Sequence, residues 1–147
     1  MADLAHAMWI HGTSMQIEYP DRVAAVRRAG SGIVVEGKPG TRNWFHFAIP
    51  IPGIVDDNRL RVGSVLLVCH TQSADAFIRD LHVFDGGHRI AEHNNIGLSG
   101  DVGMVRYDVP DHPDVRTGIG ISIGVGFGVE MMSHQMVFTS AGCDFLP

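Results

Sequence analysis

Nine histidines are the richest chemical material in this 147-residue chain, and a glycine pair, Gly86-Gly87, draws two of them beside a carboxylate. If those glycines form a two-residue hairpin loop, strands over Ala76 to Asp85 and His88 to Asn95 pair Phe84 with Arg89, His82 with Ala91 and Asp80 with His93. Asp80 then faces His93 across the ladder with His82 on the diagonal, all opposite Leu81, Val83 and Ile90. A carboxylate that orients one imidazole beside another is an acid–base pair, which would suit a cofactor-free isomerase, cyclase or lyase with Asp80, His82 and His93 as its catalytic residues. Two imidazoles and a carboxylate could equally hold zinc or iron. The plainer alternative is a solvated polar face on an amphipathic hairpin.

A second candidate is the stretch Trp44 to Ile51. Strand alternation puts Phe45, Phe47, Ile49 and Ile51 on one face and Trp44, His46 and Ala48 on the other. An indole beside an imidazole on an exposed sheet face is a stacking platform for a sugar or another planar ligand, unless Trp44 merely covers the margin of the core. Other features carry less. Ser14 in His11-Gly12-Thr13-Ser14 lacks the following helix that a nucleophile elbow needs. Asp56-Asp57-Asn58 and Asp108 to Asp114, with His112, offer oxygen ligands for calcium, but Asp and Asn also make turns by bonding their own backbone. Met131-Met132 could form a soft apolar lip, and Arg27-Arg28 is too small a cluster for an anion site.

These residues must be held by strands, and the run Gly118 to Gly128 identifies one. Gly118, Gly120, Ser122, Gly124, Gly126 and Gly128 alternate with Ile119, Ile121, Ile123, Val125 and Phe127, giving a strand with one greasy face and one bare face. Glycine inside a strand costs entropy and packing, so a bare face implies that something approaches the backbone there. Large residues such as Trp9, Trp44 or Phe138 could fill the gap, a ligand could occupy a cavity lined by Gly120, Gly124 and Gly126, or a second subunit could dock.

Further strands follow the same alternation at Ala5 to His11, Met15 to Tyr19, Val23 to Arg28, Gly32 to Glu36, Val105 to Val109 and Gln135 to Phe145. Leu60 to Thr71 is apolar on both faces over its middle, as a covered central strand would be. Pro50 and Pro52 make Trp44 to Ile51 an edge strand, or one that becomes an edge at its end. Val23 to Arg28 carries the one competing helix signal and is too short to stand alone. Roughly ten short strands punctuated by Gly, Pro and Asp predict an all-β, antiparallel β-sandwich of jelly-roll type, with a closed β-barrel as the alternative.

Composition bounds the rest. The length suits a single domain over residues 1–147. A formal charge of −5, with one lysine and ten scattered arginines, argues against nucleic acid, which needs clustered basic residues. The first residues show neither a basic n-region nor an apolar h-region, and no window approaches ~20 apolar residues, so the expectation is a soluble, cytoplasmic protein with no membrane contact. Cys69 and Cys143 lack a CxxC partner and are expected as buried thiols, without zinc or a redox cofactor.

The stretches Ala7-Met8-Trp9, Gly37-Lys38-Pro39-Gly40, Trp44 to Pro50, Gly118 to Ser122 and Ser140 to Phe145 resemble those of a bacterial family of small single-domain proteins of unknown function. The resemblance implies a stand-alone domain and supplies no catalytic residue. Three functions are compatible with these residues. The favoured one is a binding module that takes a carbohydrate or other small ligand through Trp44, His46 and nearby loops. The others are the cofactor-independent enzyme built on Asp80, His82 and His93, and a structural homo-oligomer.

Overall fold

Isoleucines at every second position fix which side of the glycine strand faces the protein interior, and the rest of the architecture follows from that choice. The computed structural model describes residues 6–51, 54, 55 and 57–147. Its strands are β1 (His6–His11), β2 (Gln16–Ile17), β3 (Val23–Ala29), β4 (Gly32–Gly37), β5 (Arg42–Ile49), β6 (Ile54–Val55), β7 (Asn58–Arg59), β8 (Arg61–Thr71), β9 (Ala76–Asp85), β10 (His88–His93), β11 (Gly103–Asp108), β12 (Ile119–Phe127) and β13 (Gln135–Leu146). The helical content among the described residues is two three-residue 3-10 turns, Gly12–Ser14 and Pro20–Arg22. No helix among them is long and apolar enough to cross a membrane.

The first sheet runs β11-β8-β13-β4-β3, with β1 pairing the second half of β13. The second runs β10-β9-β12-β5-β2, and β6 and β7 make a separate two-stranded ribbon. All these pairings are antiparallel. The two sheets form a jelly-roll-like sandwich, and because each ends in free edge strands it is not a closed barrel. The stretch with the competing helix signal is strand β3. β8 is interior to the first sheet and nearly covered along its length, as its two apolar faces require. β5 is capped by β2 only opposite His46 and Phe45, and it stops at Ile49, ahead of Pro50.

The core is built from the inner faces of both sheets. Phe45 and Phe47 on β5, Ile121 and Ile123 on β12, and Phe138 and Phe145 on β13 are all buried. The Phe138 ring meets Phe45 edge-on at 5.5 Å between centroids and Phe47 at 6.3 Å, which ties one sheet to the other. Cys69 and Cys143 are buried free thiols, and burial pushes both up to about 12, so neither is a reactive thiolate.

The β9–β10 hairpin departs from the simple register. His88 pairs Asp85 and Arg89 pairs Phe84, but a bulge at Ile90 then shifts the ladder, so Ala91 pairs Val83, Glu92 pairs His82 and His93 pairs Leu81. The expected pairs His82–Ala91 and Asp80–His93 therefore do not form. The cause is two successive apolar residues: Ala91 is buried and Ile90 packs against the core, and only a bulge turns neighbours in sequence to the same side. A second irregularity lies in β9, where Gly124 of β12 pairs Asp80 and Val125 pairs Ile78, leaving Arg79 as the extra residue.

At the end of β9 a buried carboxylate anchors the loop that leads into β12. Asp85 accepts from the amides of Arg116 (2.8 Å), Thr117 (3.0 Å) and Gly118 (3.1 Å) and from the Thr117 hydroxyl (3.2 Å). Desolvation raises this carboxyl, but those hydrogen bonds outweigh it and hold the group below its ordinary value. A depressed native value means that the stabilisation is fully present above the unfolded-state value and is lost as pH falls through the native one. Asp85→Asn should therefore lower stability at neutral pH, by about 1–3 kcal/mol, and should flatten the loss of stability on acidification. Urea midpoints of the two proteins across acidic pH check both effects, and parallel curves would refute the assignment.

Candidate ligand-binding face

Because Ile119 to Phe127 turn their large side chains into the core, the glycine side of β12 points away from the other sheet and forms the spine of an outer face. Ladder register aligns that spine with its neighbours. Gly120 lies between Ala48 and Phe84, Ser122 between His46 and His82, Gly124 between Trp44 and Asp80, and Gly126 between Arg42 and Phe77. The chemistry on this face comes from β5 and β9, reaching over a nearly bare centre.

At two glycines the vacated room is filled. A Cβ on Gly124 would lie 3.1 Å from both the Trp44 ring and Asp80 Oδ2, so the indole lies close against that backbone. A Cβ on Gly126 would meet the Phe77 ring at 2.8 Å and Arg79 Cδ at 2.9 Å. Gly120 differs: the nearest heavy atom to a Cβ there is 3.9 Å away, and the space above it is open. Side-chain filling and open volume thus coexist along one strand. Trp44 is the filler at Gly124, whereas Phe138 belongs to the core and Trp9 to the other sheet.

Between the filled and open ends is a depression of about 220 Å³ lined by Glu18, Trp44, His46, His82, Phe84 and Ser122. Its polar groups are fixed in place. His46 Nε2 donates to Glu18 Oε1 at 2.8 Å, and His46 Nδ1 bonds the Ser122 hydroxyl at 2.8 Å. Across β12, His82 Nε2 donates to Asn94 Oδ1 at 2.9 Å, and the His82 ring stands 5.0 Å from the Trp44 ring at a tilt of 47°. Asp80 Oδ1 accepts from the Asn95 amide at 3.2 Å, which closes the β9 side.

The residues singled out from sequence divide accordingly. Trp44 and His46 meet at the depression, and His82 joins them rather than His93. His93 pairs with core-facing Leu81, stacks on Tyr107 at 5.0 Å and donates from Nε2 to the Asp108 carbonyl at 2.9 Å. The Asp80–His82–His93 constellation is therefore split between two faces, because the Ile90 bulge rotates His93 through the sheet. Among the described residues, no three His, Cys, Asp or Glu side chains converge where a metal ion could sit. In the acidic loops, Asp57, Asp111 and His112 adopt positive φ and Asp108 Oδ1 bonds His112 at 3.2 Å; Asp56 lies outside the described residues. Ser14 ends a 3-10 turn whose N-cap is His11, bonded through Nδ1 to the Thr13 amide at 3.1 Å.

Glu18, Ser122, Phe84 and Asn94 were not singled out from sequence. Ser122 had a visible signal, as the one non-glycine on the bare face, and Phe84 shares the outward parity of His82. Glu18 had none, since its approach depends on β2 joining β5 from outside the hairpin order.

Residues 4–145 match the model of a family described as a family of unknown function, DUF6623. The chain belongs to that family. No curated protein sequence matches the DUF6623 chain. Among solved structures, its fold is similar to a low-affinity xylan-binding module, CBM86, from the gut symbiont Roseburia intestinalis, at TM-score 0.60 and 11% identity, covering 97% of each chain. It is also similar to the xylan-binding module CBM15, at TM-score 0.52 and 11% identity, covering 97% of this chain and 93% of the other. At such identities the likeness establishes a shared sandwich fold.

Chemically, this DUF6623 face offers an apolar ring plane bordered by fixed donors and acceptors, and its integrity rests on the missing side chain at position 124. Gly124→Val should push Trp44 off the strand, shift its fluorescence emission and cost about 1–3 kcal/mol through overpacking. Emission spectra and urea melts read both, and an unchanged spectrum would show that the indole does not rest there.

Proposed function

We propose that this domain is a carbohydrate-binding module that takes a neutral glycan across the outer face of its second sheet. The observation that carries the proposal is the Trp44 indole, seated against Gly124 beside an open, polar-lined depression. A pyranose ring presents a C–H face that packs on an aromatic plane, while its equatorial hydroxyls need donors and acceptors at the rim. Trp44 and Phe84 supply the first requirement; Glu18, His46, Ser122, His82 and Asn94 supply the second.

The polar side chains already bond one another, so few rotamers need to be frozen when a sugar arrives. The depression is smaller than the roughly 300–1,000 Å³ of pockets that engulf drug-sized molecules. A chain of sugars laid across the face fits better than a buried monosaccharide, and modest affinity follows. Two sandwich modules of the same fold bind xylan, which makes xylo-oligosaccharides the first ligands to test.

Calorimetry with a panel of xylo-, gluco- and manno-oligosaccharides tests the proposal. Trp44→Ala should weaken binding at least ~10-fold, about 1.4 kcal/mol. Gly120→Val, which enters open space and leaves the melting temperature nearly unchanged, should also weaken binding by narrowing the depression beside Phe84. Full affinity in both variants would reject this face.

A further inference from the structure

We propose that Trp9 forms a second glycan-stacking platform on the outer face of the first sheet, making the domain bivalent; the inference rests on the sugar-binding reading of the Trp44 face. The protein has two tryptophans, and both are seated in the same way on opposite sides of the sandwich. Trp9 on β1 pairs directly with Gly142 on β13. A Cβ on Gly142 would lie 2.9 Å from Trp9 Cε3 and 3.0 Å from Cδ2, so the indole rests across a glycine as Trp44 does. Yet Trp9 remains 40% exposed. A large aromatic docked on the backbone by one side and open to solvent on the other is a platform rather than a core residue.

The surroundings extend the parallel. Register places Leu66 of β8 just beyond Gly142 and Arg106 of β11 beyond Leu66. Leu66 is only 1% exposed although it lies outside the core cluster, so it floors this face rather than the interior. Arg106 is held at the border, with Nε donating to the Ser64 hydroxyl at 2.8 Å and Nη2 donating to Asp144 Oδ2 at 3.5 Å. Asp144 is itself buried and accepts from the His6 amide at 3.0 Å. The exposed ring plane offers a sugar a surface for its C–H side, as at the Trp44 face, and the Ser64–Arg106–Asp144 network gives this face a polar border held in place.

A second copy of the chain is the competing occupant. A stable dimer needs about 800 Å² from each partner, with a largely apolar centre. Met104 is exposed along the same face as Trp9, but His11, Ser140, Arg106 and the His70–Asp101 pair, in contact at 2.6 Å, share that face. The polar border favours a hydroxylated ligand.

With two tryptophans, each single-tryptophan variant reports one face. In Trp44→Phe, xylohexaose should give a saturable shift of the remaining Trp9 emission, and in Trp9→Phe a shift of Trp44. Wild-type protein should also cross-link and precipitate soluble xylan, whereas Trp9→Ala, verified as folded by its urea midpoint, should bind without precipitating it. A silent Trp9 alongside a responding Trp44 overturns the second platform and leaves the first face intact. Silence at both overturns both. A dimer in light scattering that Trp9→Ala dissolves, with no Trp9 response to sugar, assigns the surface to a second copy and likewise overturns the inference.

Discussion

A strand that is greasy on one side and bare on the other, set in the middle of a sheet, constrains everything on the outer face of this protein. With β12 supplying almost no side chains outward, functional groups must come from strands on either side of it, which lie roughly 10 Å apart at the usual ladder spacing. Side chains that would normally be separated by an intervening row instead meet over glycine. The Trp44 and His82 rings approach to 5.0 Å across β12, although they belong to β5 and β9. Any β-branched residue at the centre would separate them. The entropic cost of glycine in a strand is thus offset by contacts that only its absence of a side chain permits.

The same constraint explains why the face is both preorganised and shallow. Ser122 is the single polar side chain on the spine, and it anchors His46, which in turn holds Glu18. That chain of hydrogen bonds fixes the rim without raising walls. The floor is backbone whose ladder bonds are already made, so it excludes water without leaving donors unsatisfied. Such a surface suits an extended ligand that contacts many points weakly, which is how a sugar polymer presents itself.

Much of this was legible in the sequence, for reasons that can be located. Strict alternation over Gly118 to Gly128 fixed both the strand and the sidedness of its faces, and the doubly apolar run of β8 placed that strand inside a sheet. Trp44 and His46 share a parity and so a face. What escaped was whatever local counting could not see. Ile90 and Ala91 both turn inward through a bulge, which moved His93 to the far side of the sheet and dissolved the carboxylate–imidazole pair expected there. Glu18 reaches His46 through a two-residue strand from a distant part of the chain, and no periodicity encodes that approach. At Gly124 and Gly126 the bare face is covered by side chains from within the same sheet rather than from across the sandwich, while the room above Gly120 is open.

One feature of the first sheet bears on how the domain would behave under load. β1 and β13 run antiparallel, with His6 opposite Phe145, so residues near the two ends of the chain emerge side by side. Tension applied between them would open the β1–β13 ladder one hydrogen-bonded pair at a time, like a zipper, instead of shearing all its bonds together. The strands that carry the Trp44 face, β5, β12 and β9, are laced into a different ladder. The Trp44 face and this seam thus lie in separate sheets, whereas Trp9, seated on Gly142, lies on the seam itself.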